Sequence, residues 1–100
     1  MGLSIENIIS EHDSVLIDFC AVWCEPCKWV GPILDDVDKH YCGKIKIHKI
    51  DIDDHADVAK SLHILSVPTL VLFSSGKEVW RMRGFESAAV LIKTLGKHIK

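Results

Sequence analysis

The spacing of apolar residues changes several times along the chain, and each change marks an element. Ile5, Ile8 and Ile9 recur at three and four between Ser4 and Glu11, the spacing of a short helix that Ser4 is placed to cap. Val15-Leu16-Ile17-Asp18-Phe19-Cys20-Ala21 is a nearly continuous apolar run, as expected of a central strand covered on both faces. Trp29, Val30, Ile33, Leu34, Val37 and Tyr41 then recur at three and four, which predicts a long helix with Pro32 kinking it. Lys44 to Asp53 alternates as a strand. Asp54 is placed to cap a helix through about His63, with Asp57 at the positive end of its dipole. Thr69 to Phe73 and Glu78 to Met82, joined by Ser74-Ser75-Gly76-Lys77, form the clearest hairpin in the chain. Ser87 opens a last helix, with Val90, Leu91, Leu95 and Ile99 expected on its buried side. The order α-β-α-β-α-β-β-α predicts an α/β fold, a sheet flanked by helices.

A chain of 100 residues, 48% hydrophobic, supplies one modest core, so residues 1–100 are expected to form a single domain. The net charge of -2 arises from interspersed acids and bases with no basic block, which argues against nucleic acid or an anionic membrane surface as partner. No run approaches the roughly 18 apolar residues that a bilayer demands. Met1-Gly2-Leu3-Ser4 lacks the charged and apolar regions of a secretory signal, so a cytoplasmic location is expected. Cys20, Cys24, Cys27 and Cys42 are too few and too clustered to staple a small secreted scaffold.

Two charges fall where apolar residues are expected. Asp18 interrupts the central strand, where an ionised carboxylate is costly without a partner. In Ile45-x-Ile47-x-Lys49 the lysine shares a face with two isoleucines, so it too is expected to point inward, and pairing it with Asp18 answers both problems. A structural ion pair, or a lysine snorkelling to the rim, is the plainer alternative. Asp18, however, lies on the strand that leads to Cys24. Desolvation there raises a carboxyl's pKa into the range useful for proton transfer near neutral pH.

Cys24 and Cys27 stand two residues apart between a strand and a helix. Thiol–disulfide exchange needs a thiolate attacker and a second sulfur nearby to expel the substrate from the mixed disulfide. At a helix start, Cys24 would face unpaired backbone N–H groups and the positive end of the dipole, both of which favour its thiolate. Cys27, one turn in and more shielded, would resolve. Pro26 suits the first turn, where a missing N–H costs nothing. Zinc is the rival reading, with Cys42 and His48 as further ligands. A helix between the pair and Cys42, at about 1.5 Å per residue, separates them by roughly 20 Å, too far for one coordination sphere. No metal and no bound cofactor are expected.

Asp18-Phe19, Trp23-Cys24-x-Pro26-Cys27-Lys28, Pro32, Lys49, Val67-Pro68-Thr69, Gly76 and Gly84 together resemble the thioredoxin family, over a span from Val15 to the C-terminus. The resemblance implies a thioredoxin-like α/β fold with a central mixed sheet of four or five strands. It further implies a protein-disulfide reductase in which Cys24 is the nucleophile, Cys27 resolves, and Asp18 with Lys49 handles the Cys27 proton. A cis peptide before Pro68 is implied as well, with Val67, Pro68, Gly84 and Trp23 contacting substrate. Disulfide-containing proteins would then be the substrates and a thioredoxin reductase the electron donor.

Departures from the family pattern carry their own expectations. Glu25 stands where the family usually has glycine. Its carboxylate disfavours the Cys24 thiolate by on the order of 1 kcal/mol, so Glu25 is expected to make the domain a stronger reductant. Little room precedes Ile5 for the family's first strand, which is expected to be short or absent. Lys44 to Lys49 would then form a sheet edge whose lysines oppose pairing with other chains, so a monomer is expected. Cys20 reads as a small apolar core residue rather than a third active thiol. Trp-Cys-Glu-Pro-Cys also resembles extracytoplasmic reductants of the cytochrome c maturation type, and a docking module with incidental redox activity is a further alternative.

Overall fold

The computed structural model describes residues 4–99. In chain order the elements are α1 (Ile5–Ile9), β1 (Ser14–Cys20), α2 (Cys27–Tyr41), β2 (Lys46–Asp51), α3 (Ala56–Ser61), β3 (Thr69–Ser74), β4 (Lys77–Arg83) and α4 (Ala88–Leu95). They build one four-stranded mixed sheet in the order β2-β1-β3-β4, with β1 parallel to β2 and antiparallel to β3, and β3 antiparallel to β4.

Every residue of β1 is buried, Asp18 included, as expected of a nearly continuous apolar run with helices on both faces. Its alternation divides the core. Val15, Ile17 and Phe19 pack with Ile8, Ile50, Val58, Val71 and Phe73 on the α1/α3 side. Leu16 faces the other way, with Val30, Leu34, Val37, Leu70, Leu72, Leu91 and Leu95 from α2, β3 and α4. Burying each such side chain stabilises the fold by about 1.5–3 kcal/mol. The Tyr41 hydroxyl donates to the Ile92 carbonyl and ties α2 to α4.

Local chemistry fixes several boundaries. The Ser4 hydroxyl accepts the Asn7 N–H, and the Ser87 hydroxyl accepts that of Val90, so both expected caps form. Ser75 and Gly76 have φ of 50° and 81°, the conformation of a two-residue hairpin loop that glycine enters without strain. Pro32 lies inside α2.

Two expectations need correcting. Asp54 does not cap α3; the Asp51 carboxylate accepts the N–H groups of Asp53 and Asp54 at 2.8 and 3.2 Å, and this turn delays the helix to Ala56. Val90 is exposed, because the buried stripe of α4 is narrow and runs through Leu91 and Leu95. Among the described residues no strand precedes α1, so β2 forms the sheet edge, with Lys46 and Lys49 exposed on it.

Candidate active site

β1 ends at Cys20, and the chain turns through Ala21, Val22 and Trp23, closed by the Cys24 N–H donating to the Ala21 carbonyl at 3.1 Å. Cys24 and Cys27 are joined as a disulfide with their Cα atoms 5.4 Å apart. The Cys27 N–H points at Cys24 Sγ, 3.3 Å away. Pro26 is the N-cap and Cys27 the first residue of α2, so Cys27 is not one turn inside the helix as expected. The reason is local: Cys24 to Pro26 form a separate turn, from which the carbonyls of Glu25 and Pro26 accept the N–H groups of Lys28 and Trp29.

As residues, Cys24 and Cys27 are shielded alike. Cys24 is 4% and Cys27 5% exposed, because Cys20, Ala21, Ile52 and Val67 pack around both. Accessibility is offered by the surrounding rim, where Val22, Trp23 and Trp29 are exposed. The Trp23 indole N–H donates to Asp53 Oδ2 at 2.8 Å, which fixes an exposed ring rather than burying it as filler. Across the disulfide, the Val67–Pro68 peptide is cis. The Pro68 carbonyl accepts the Gly84 N–H at 2.7 Å, and Gly84 has φ of 95°, a conformation that favours glycine.

Asp18 is 2% exposed, with Oδ1 lacking any hydrogen-bond partner. Burial pushes its pKa up to about 6, against the opposing pull of the Lys49 ammonium. Lys49 is the register partner of Asp18 across β1 and β2. It is exposed, however, and forms no direct ion pair with Asp18, which corrects the expected pairing in favour of the snorkelling alternative, while its charge still acts on Asp18. An edge strand leaves a long side chain free to carry its charge to water.

Cys20 is buried, and its thiol donates to the Ile50 carbonyl at 3.5 Å. Burial, followed by the Asp18 carboxylate, pushes this thiol up to about 11, so it stays protonated and unreactive near neutral pH. Cys42 is free, exposed and at the far end of α2. Glu25 is exposed and pairs with Lys28 at 3.2 Å.

Two contacts of this site, Trp23 with Asp53 and Glu25 with Lys28, are not among those expected from the sequence. Lys28 had a usable signal, three residues beyond Glu25 on a helix start. Asp53 had none, because its partner Trp23 is thirty residues away.

Comparison with known proteins supplies the family. The family model Thioredoxin matches residues 4–97. The chain belongs to the thioredoxin family. A thioredoxin-like protein of Synechocystis sp. is 47% identical over 90 residues, covering 90% of this chain and 86% of the relative. The oxidised form of mitochondrial thioredoxin 3 from Saccharomyces cerevisiae superposes with a TM-score of 0.83 at 32% identity, covering 92% of this chain and 85% of that one. A bifunctional thioredoxin reductase/thioredoxin of Mycobacterium leprae is 34% identical over 89 residues, 89% of this chain and 19% of the relative. This thioredoxin carries a paired Cys24 and Cys27 at the start of α2 and is a thiol–disulfide oxidoreductase acting on disulfides. The cytochrome c maturation and docking-module readings are not favoured. Among the described residues no helix is long and apolar enough to cross a membrane.

Proposed function

We propose that this thioredoxin reduces disulfides in other proteins, working in the cytoplasm as a single-domain monomer with no bound cofactor. The observation that carries the reading is the Cys24–Cys27 disulfide at the start of α2, beneath an exposed apolar rim. In the reduced protein, the Cys24 thiolate attacks one sulfur of a substrate disulfide. A Cys24–substrate disulfide forms, and the other substrate sulfur leaves as a thiolate that takes a proton from water. The Cys27 N–H, 3.3 Å from Cys24 Sγ, is placed to stabilise negative charge on that sulfur. Trp23, Val67 and Gly84 present the surface on which the substrate strand lies, and Pro68, itself buried, joins Val67 to Gly84 by accepting the Gly84 N–H.

Resolution requires the Cys27 proton to be removed. Asp18, ionised above about pH 6, accepts it, and the Lys49 charge tempers the cost of that carboxylate. The Cys27 thiolate then attacks Cys24 Sγ, the second substrate thiolate leaves, and the intramolecular disulfide is restored. Two electrons have passed to the substrate. A thioredoxin reductase returns them, a role supported by the relative in which a reductase and a thioredoxin share one chain.

An insulin-reduction assay tests this reading. Cys24→Ser should abolish turnover, and Cys27→Ser should accumulate the Cys24–substrate mixed disulfide. Full activity in Cys24→Ser would refute it.

A further inference from the structure

Glu78 and Arg81 stand three apart on β4, a spacing that sends side chains to opposite faces of a regular strand. Here they share a face. The register of β3 with β4 slips between Leu72, opposite Trp80, and Phe73, opposite Glu78, so Val79 is an extra residue bulged out of the ladder. Phe73 and Val71, the register partners of Glu78 and Arg81, both pack on the α1/α3 side of the sheet. The bulge therefore lays carboxylate and guanidinium side by side on that face. Arg81 Nε donates to Glu78 Oε2 at 3.0 Å and Nη2 to Oε1 at 2.8 Å, the forked pairing that fixes the plane of an arginine.

The rest of the fork is aimed at the loop between α3 and β3. Nη2 also donates to the Leu62 carbonyl at 2.7 Å, and Nη1 to the His63 carbonyl at 3.2 Å. Both carbonyls belong to the C-terminal end of α3, where helical donors run out and the dipole is negative. His63 leaves the helix with φ of 55°, a non-glycine residue held in the left-handed region. The chain then runs to Val67, which meets the substrate strand in the thiol–disulfide reading. Downstream, the loop is fastened by the Thr69 hydroxyl donating to the Ser66 carbonyl at 2.6 Å and by the Gly84 N–H donating to that of Pro68. Arg81, with its side chain 24% exposed, is the fastening at the upstream end.

We propose that Arg81, oriented by Glu78, is a positioning residue for disulfide exchange: it sets the path of residues 62–68 and so the place at which the Val67 backbone meets a protein substrate. This role rests on the thiol–disulfide reading and deepens it, adding a residue that acts through the loop and not on a sulfur. Charge alone does not suffice. A lysine here would keep the cation at the end of α3, but its compact ammonium cannot hold a carboxylate and two carbonyls in one plane. A protein disulfide, whose flanking backbone lies along Val67, depends on the loop. A small disulfide without flanking backbone does not.

Second-order rates of oxidation of the reduced protein by insulin and by bis(2-hydroxyethyl) disulfide test this role. Arg81→Leu should lower the insulin rate about tenfold and leave the small-disulfide rate unchanged, a loss below the roughly hundredfold that 1 Å of misplacement can cost in a rigid site. Arg81→Lys and Glu78→Gln, which each keep part of the fork, should lose about threefold with insulin alone. Hydrogen exchange at the amides of residues 64–67 should quicken in Arg81→Leu, while β1 and the redox potential stay as in the wild type. An unchanged insulin rate, a small-disulfide rate that falls in parallel, or loop amides that exchange as before would overturn the proposal. Where Arg81→Leu does not fold, the other two variants settle the matter, and a wild-type ratio of the two rates in both would overturn it. A wild type that leaves insulin unreduced, or a fully active Cys24→Ser, would strike the thiol–disulfide reading itself. A working wild type alongside any of the overturning results strikes Arg81 alone.

Discussion

Replacing Asp18 by asparagine removes a charge from a site that is 2% exposed and gives Oδ1 no hydrogen bond. Burial holds this carboxyl at about 6 instead of 3.8, and at 1.36 kcal/mol per pH unit the ionised side chain costs the fold about 3 kcal/mol above pH 6. Between the two values the folded state binds more protons than the unfolded one. The Asp18 contribution to the unfolding free energy therefore falls as pH rises through this window, is highest below about pH 4, and levels off above about pH 6. Asp18→Asn holds the group neutral at every pH while leaving an amide of the same shape. The variant should gain about 2.4 kcal/mol over the wild type at pH 7.5 relative to the difference between them at pH 4, where the unfolded carboxyl is already partly ionised. With urea slopes of about 1–3 kcal/mol per M, that is a midpoint shift of roughly 1–2.5 M. Urea unfolding of both oxidised proteins at the two pH values measures it, and the histidines cancel because both proteins carry them. A gain independent of pH, or a loss at pH 7.5, would refute the assignment of Asp18 as a desolvated carboxylate. The same substitution should slow release of substrate from the mixed disulfide, because the acceptor for the Cys27 proton is gone.

Glu25→Gly should raise the redox potential by roughly 20 mV, equivalent to about 1 kcal/mol of charge repulsion, in equilibration against a glutathione buffer. The difference should shrink in 1 M salt, where the Debye length is about 3 Å; a shift to more reducing values would show that Glu25 acts otherwise. Gly84→Ala has open space for its methyl group but must hold φ at 95°, so calorimetry should show a loss of about 1 kcal/mol, or about 4–8 °C in Tm. Tyr41→Phe removes the hydrogen bond to Ile92 between α2 and α4, while the Gly96 N–H still donates to that part-buried carbonyl; denaturant unfolding should lose about 1 kcal/mol while insulin turnover stays unchanged.

How far the chain was legible follows from the range of the interactions that decide each feature. The hairpin, the caps at Ser4 and Ser87, and the buried character of β1 depend on residues within a few positions of one another, and all were readable from the sequence. The start of α3 was not, because Asp51 at the end of β2 captures the N–H groups that Asp54 was expected to serve. Lys49 shows a different limit. Its face was readable from alternation with Ile45 and Ile47, but its exposure is set by β2 having a neighbour on one side only, which is a property of the whole sheet. The bond between Trp23 and Asp53 and a cleft lined by Cys20, Cys27 and Lys49 are longer-range still, since the first links the loop after β1 to the loop after β2 and the second gathers residues from β1, the start of α2 and β2. Cys20 makes the point most sharply. In the sequence it is a small apolar filler, and in the fold it lines a cleft shared with Cys27 and Lys49, a neighbourhood that exists only once β2 has paired with β1 and α2 has been laid beside them.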